Sequence, residues 1–250
     1  MMFTRLHTLQ RLTFHLLLGA ALLIAAPAHS QLVAAYSSGP ASADGTGKRY
    51  LGREIAHVMG WQGAGWLERQ EREQEERTDL LLKALALKPG MTVADIGAGT
   101  GYLSRRMARQ VAPDGRVLAV DVQPEMVRLL ERMVQRTGLN NVVPTLGNER
   151  DAGLSPNSLD LAIMVDVYHE LAYPREMLRS IVRALKVGGQ LVFVEYRAED
   201  PAVPIKPLHK MSEAQVRLEA GQLNALQWDR TVETLPWQHV IVFRKQPVSE

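Results

Sequence analysis

The 250-residue sequence balances 29 basic against 27 acidic side chains for a formal charge of +2, with 46% hydrophobic and 22% charged residues and no cysteine. That composition is globular and long enough for one α/β core plus an accessory element. It excludes disulfide scaffolds, thiol nucleophiles, cysteine-ligated zinc and iron–sulfur clusters.

The N-terminal fifteen residues carry Arg5 and Arg11 and no acid, and an apolar run from Leu16 leads into Ala26-Pro27-Ala28. A basic start, a short apolar stretch and an A-x-A site read as an export signal or membrane anchor over residues 1–30. The expected address is the cell envelope or periplasm, with possible membrane association through this end. Cleavage after Ala28 would remove Arg5 and Arg11, and the net charge with them. No other Lys/Arg block could hold a phosphate backbone, so nucleic acid is not an expected partner.

Residues 31–47, rich in Ser, Ala and Gly, read as a linker. Residues 48–77 read as an N-terminal helical cap. Its first part bears Trp61 and Trp66 and is expected to be a lid, with Trp61 on the substrate side. The charged run that follows reads as a solvated helix, with Glu68–Arg72 and Glu73–Arg77 as i,i+4 pairs.

Residues 78–250 alternate strand and helix. Apolar runs at Met91–Ile96, Val117–Val120, Val142–Leu146, Leu159–Val165 and Leu191–Val194 lack polar alternation, as in a parallel sheet covered on both faces. Between them Leu103, Met107 and Val111, then Met126, Leu130 and Met133, then Met177, Leu178 and Ile181 recur at helical spacing. Ser212 with Gln215 makes a capping box for a helix expected to run to about Leu226. Strands near Arg230–Leu235 and Gln238–Phe243 are joined only by Pro236-Trp237, which requires an antiparallel pair. The expected fold is α/β, a doubly wound, mostly parallel sheet with a terminal antiparallel hairpin.

Ligands of such sheets bind beyond the carboxyl ends of the strands. There Asp95-Ile96-Gly97-Ala98-Gly99-Thr100-Gly101 links a strand to a helix, and Asp121 closes the next strand, placed to accept both hydroxyls of a ribose. A dinucleotide fingerprint would need glycine where Tyr102 stands. The spacing resembles instead the first motif of the class I S-adenosylmethionine-dependent methyltransferases, with Asp121 as the acid that follows it and Leu185–Leu191 similar to the segment before their fifth strand. The resemblance spans residues 78–245 and implies a Rossmann-like methyltransferase fold. It implies that Asp95, Gly97, Ala98, Gly99, Gly101 and Tyr102 hold the methionine part of S-adenosylmethionine, and Asp121 with Val122 the ribose. It places Asn148, Glu149 or Asp151 near the adenine and Asp166 at the same site. The amino-methylating motif of nucleic-acid enzymes is absent after Val165, and a small or lipid-like acceptor is expected.

Candidate catalytic residues are His169, whose imidazole suits a proton acceptor near neutral pH, Glu170 to orient it and Tyr168 to line the pocket. Glu195, Arg197 and His209 follow the fifth strand and are expected on the substrate side. His169, Glu170 and His209 are metal-ligating types, but no local ligand spacing supports them, so no metal is assigned. A nicotinamide-dependent oxidoreductase and a non-catalytic exported nucleoside-binding protein are the alternatives. The cofactor is made in the cytosol, so a cytoplasmic location also stays open. The sequence leaves oligomeric state undetermined.

Overall fold

The computed structural model describes residues 35–247. The export signal or anchor expected over residues 1–30 lies outside them. None of the described helices is long and apolar enough to cross a membrane.

Seven strands form the main sheet: β4 (Thr92–Ile96), β5 (Arg116–Asp121), β6 (Val142–Leu146), β7 (Leu159–Val165), β8 (Leu185–Tyr196), β9 (Leu226–Val232) and β10 (Gln238–Lys245). Their order is β6-β5-β4-β7-β8-β10-β9. The first five run parallel, and β10 is antiparallel to both β8 and β9. The order reverses at β4 and β7, where the crevice of a doubly wound sheet opens.

Alternate residues of the inner strands β4, β5, β7, β8 and β10 feed opposite cores, which is why their central stretches read as apolar runs. Val93, Val117, Ala119, Leu161, Ile163, Val192 and Val242 pack with Leu81 of α3 (Thr78–Leu85), Met107 of α4 (Ser104–Val111) and Leu130 of α5 (Pro124–Thr137). Ala94, Ile96, Ala162, Met164, Leu191, Phe193 and Ile241 pack with Met177 and Ile181 of α6 (Pro174–Ala184) and Val216 of α7 (Glu213–Ala220). Pro124 opens α5, and Gly138 closes it in the left-handed conformation.

The capping box holds: Gln215 N–H donates to Ser212 Oγ at 3.1 Å. The helix ends at Ala220, short of the expected Leu226, because Gly221 caps it and Leu226 is drawn into β9 opposite Lys245.

The N-terminal region differs from the expected linker and helical cap. Strands β1 (Tyr36–Ser38), β2 (Gly45–Tyr50) and β3 (Arg53–Ala56) form a small antiparallel sheet. Leu51 (φ 47°) and Gly52 (φ 90°) make the tight turn between β2 and β3, the two positive-φ positions that twisted hairpins favour. Tyr50, Ile55 and Ala56 are buried. Helix is confined to a single 3₁₀ turn at Trp61–Gly63 and to α1 (Ala64–Leu67) and α2 (Arg72–Glu76).

The charged run is not a solvated helix. Left-handed Arg77 breaks it, and Arg72 is buried against Glu76 at 2.8 Å. Glu68 pairs with Arg105 and Glu73 with Arg106, both on α4, while Arg77 pairs with Asp79. Arginines of α4 have taken both acids of the expected i,i+4 pairs, and Arg72 and Arg77 pair with other local carboxylates.

Candidate active site

Strand β4 runs straight into the glycine loop. Gly97 adopts φ 73°, and a Cβ there would stand 2.5 Å from a methyl of Val167, so the side chain that follows β7 packs directly on the loop backbone. Asp95 is buried just ahead of the loop and accepts from Ser104 Oγ at 2.5 Å, tying the strand end to the start of α4. Burial pushes its carboxyl up to about 6, against the pull of the Ser104 hydroxyl.

Asp121 closes β5. One carboxylate oxygen accepts from Gly99 N–H at 3.0 Å and the other from Gln123 N–H at 2.9 Å. Each oxygen has two acceptor sites, so one on each is left for a second donor, the number that a ribose diol supplies. Burial raises this carboxyl above the usual aspartate range, although the backbone N–H groups oppose the shift.

Asp166, one residue past β7, is a non-glycine residue at φ 53°. One of its carboxylate oxygens accepts from Gln238 Nε2 at 2.7 Å, and the other is buried without a partner among the described residues. A positive-φ backbone carrying a buried acceptor without a partner is a feature common at ligand sites. Burial and the nearby Glu76 and Glu195 carboxylates hold Asp166 well above the ordinary range. The cofactor named by the sequence motif has a ribose diol and an ammonium group. The Asp121 acceptors and the open Asp166 oxygen therefore fit it.

A segment before α2 crosses these strand ends. Met59 N–H donates to Glu170 Oε2 at 3.2 Å, Trp61 N–H to Gln123 Oε1 at 2.8 Å, and Gln123 Nε2 returns a bond to the Met59 carbonyl. Leu67 then meets the glycine loop, and Glu68 takes the Thr100 hydroxyl at 2.6 Å. A Cβ on Gly99 (φ 55°) would stand 2.6 Å from Leu67 Cδ1. Gly99→Ala is expected to cost about 1–3 kcal/mol through backbone strain and overpacking. Thermal melts would show the loss, and a wild-type melting temperature would refute the close approach.

At the end of β7, His169 is buried with Nδ1 2.6 Å from Glu195 Oε2, and the other Glu195 oxygen accepts from Tyr168 N–H at 2.9 Å. His169 Nε2 is 3.2 Å from His209 Nδ1. The structure thus brings together His169, Glu170 and His209, which lie on two separate loops.

Other candidate positions have different surroundings from those expected. Glu195 is wholly buried behind His169 instead of facing substrate, because it lies inside β8 with His239 as its register partner. Arg197 donates to the carbonyls of Leu235, Pro236 and Gln238, so it braces the link into β10. Tyr168 is buried and packs edge-on against Phe193 in the core. The Tyr102 ring lies under the Arg72 and Arg106 guanidinium groups, and its hydroxyl donates to Glu73. Asn148 Oδ1 accepts from Arg150 and Asp151 N–H in its own turn, whereas Glu149, Val122 and Trp61 are exposed.

Sequence reading missed Gln123 and Arg53. Gln123 sits two residues after Asp121, and that position was its only signal. Arg53 donates to the His169 carbonyl at 3.1 Å and lies in a segment with no recognisable motif.

The sheet order, the glycine loop and the paired acids define a nucleoside-cofactor site on a doubly wound fold. A family model described as a methyltransferase domain matches residues 87–238, more than half of the chain, and the protein belongs to that family. The chain is 32% identical over 111 residues to the ubiquinone/menaquinone biosynthesis C-methyltransferase UbiE of Hydrogenovibrio crunogenus, covering 44% of each. It is 33% identical over 109 residues to the demethylmenaquinone methyltransferase of Symbiobacterium thermophilum, covering 43% of each. The match thus spans under half the length of these curated relatives. The crystal structure of a SAM dependent methyltransferase from Aquifex aeolicus superposes with a TM-score of 0.70 at 27% identity, covering 74% of this chain and 98% of that one. The fold is the Rossmann-like methyltransferase fold, and the family's cofactor is S-adenosylmethionine.

Proposed function

We propose that the protein transfers a methyl group from S-adenosylmethionine to a quinone-like, lipid-class acceptor. The observation that carries the cofactor half is Asp121, with one acceptor site open on each oxygen beside the glycine loop. The names of the two quinone-pathway relatives support the acceptor half. When bound, the cofactor supplies an electrophilic methyl group.

Methyl transfer is an in-line displacement, so alignment does most of the catalytic work. Asp95 and Ser104 brace the glycine loop, Asp121 would hold the ribose, and Asp166 would hold the ammonium. A ring carbon of a quinol becomes nucleophilic as its hydroxyl loses a proton. His169 Nε2 is the group placed to take that proton, with Glu195 steadying the opposite ring nitrogen. The segment from Met59 to Glu68 acts as the lid that excludes water. An envelope address through residues 1–30 would put the enzyme beside a lipid acceptor.

The test incubates the full chain with methyl-labelled S-adenosylmethionine and a demethylated quinol in detergent. Label in the quinone ring with release of S-adenosylhomocysteine is the expected result. Cofactor binding with no turnover on any quinol would overturn the quinone-like acceptor and leave the methyltransferase with a different one, and binding of NADH alone would restore the oxidoreductase reading.

A further inference from the structure

His169 Nε2, Glu170 Oε1 and His209 Nδ1 all lie within 4.8 Å of one another. The three edges of that triangle are 3.2 Å between the two histidines, 3.5 Å from His209 to Glu170 and 3.8 Å from His169 to Glu170. Ligands about 2.0–2.1 Å from a tetrahedral zinc stand about 3.4 Å apart. The observed edges bracket that spacing.

A simple hydrogen-bonded cluster explains the triangle less well. The histidine pair could share a proton at 3.2 Å, yet Glu170 Oε1 stands 3.5 and 3.8 Å from the two ring nitrogens. These distances are too long for good hydrogen bonds and suit co-ligands. The support behind the triangle points the same way. Glu195, wholly buried, holds His169 Nδ1 at 2.6 Å and leaves Nε2 as the ring nitrogen that offers a lone pair. A carboxylate behind a histidine is the usual outer support of a metal ligand. Arg53 fixes the His169 carbonyl, and the Met59 N–H holds the other oxygen of Glu170.

We propose that His169, Glu170 and His209 bind a divalent transition-metal ion of the zinc class, with Glu195 as a positioning residue and a fourth position open to an oxygen ligand. Two imidazoles and one carboxylate favour such an ion over magnesium or calcium, which prefer all-oxygen sites. With the ion bound, His169 Nε2 becomes a ligand. A hydroxyl in the open position would be acidified by coordination and would release its proton to bulk water, so His169 would serve as a ligand in place of the proton acceptor of the metal-free reading. The metal site itself does not depend on the identity of the methyl acceptor.

The test strips the tag-free full chain with a chelator and titrates it with Co²⁺, then Zn²⁺, with Mg²⁺ as the comparison. One equivalent of Co²⁺ is expected, with the strong visible absorption of a low-symmetry four- or five-coordinate centre that Zn²⁺ abolishes and Mg²⁺ leaves intact. His209→Asn and Glu170→Gln should each weaken binding by about 100-fold or more, and Glu195→Gln by about 10–100-fold. Melting curves accompany each variant, and His209→Asn, at a partly exposed ring, tests the site with the least risk to the fold. Failure of the folded wild type to bind Co²⁺ stoichiometrically overturns the proposal. So does binding that survives both ligand substitutions, which would mark an adventitious site. A parallel S-adenosylmethionine titration reads the methyltransferase assignment separately.

Discussion

Asp121→Ala is expected to weaken S-adenosylmethionine binding by about 100-fold while leaving the sheet folded. Hydrogen bonds to a charged group contribute about 1.5–3 kcal/mol each, and 1.4 kcal/mol is one decade of affinity. Two ribose hydroxyls on one carboxylate would exceed two decades if their contributions added fully. Both hydroxyls draw on one carboxylate charge, so their contributions add only in part. The substitution also strips a partner from the Gly99 and Gln123 N–H groups, loosening the loop that binds the rest of the cofactor. Asp121→Asn keeps one acceptor oxygen and should fall between the two. Calorimetric titration decides it, and near wild-type affinity in the alanine variant would remove Asp121 from the site.

The second large effect concerns stability. Arg53 donates in a bidentate fashion to Glu219, at 2.7 and 2.9 Å, and Glu219 is completely buried on α7. Removing one member of a buried ion pair leaves an uncompensated charge and costs about 3–5 kcal/mol. For a domain of this size, that corresponds to a melting temperature lower by about 6–20 °C in Glu219→Ala. Replacing both residues with methionine should recover much of the loss, because neither charge is then stranded. If Glu219→Ala melts with the wild type, the pair is not formed in solution.

Sequence reading recovered the strands whose central stretches are apolar, because the inner strands of the main sheet are covered on both faces. Asp95, the glycine loop and Asp121 were legible because their spacing is local. The strands of the small sheet were not. Gly45-Thr46-Gly47-Lys48 has neither apolar alternation nor β-branched enrichment, and its hairpin turn hides behind Leu51, a residue uncommon at positive φ. The charged run misled for a different reason. Helical spacing offered Glu68 to Arg72, but folding presented Arg105 to Glu68 and Glu76 to Arg72. Glu195 and Arg197 lie close together in sequence and show why position alone misassigns roles. One is enclosed by the sheet and the other reaches the adjoining chain reversal, and only the antiparallel register of β10 against β8 decides which.

The segment over the strand ends is fastened on both sides. Upstream, Arg53 is locked to Glu219; downstream, Arg72 and Glu76 are buried. A chain pinned at two points moves as a bowstring and not as a door. Such a segment is expected to yield first at its middle, where Met59 and Trp61 are held by a few hydrogen bonds, each contributing about 0.5–1.5 kcal/mol net. Opening it there would cost far less than unfolding the domain, and the chain length between the two anchors would set how far it lifts.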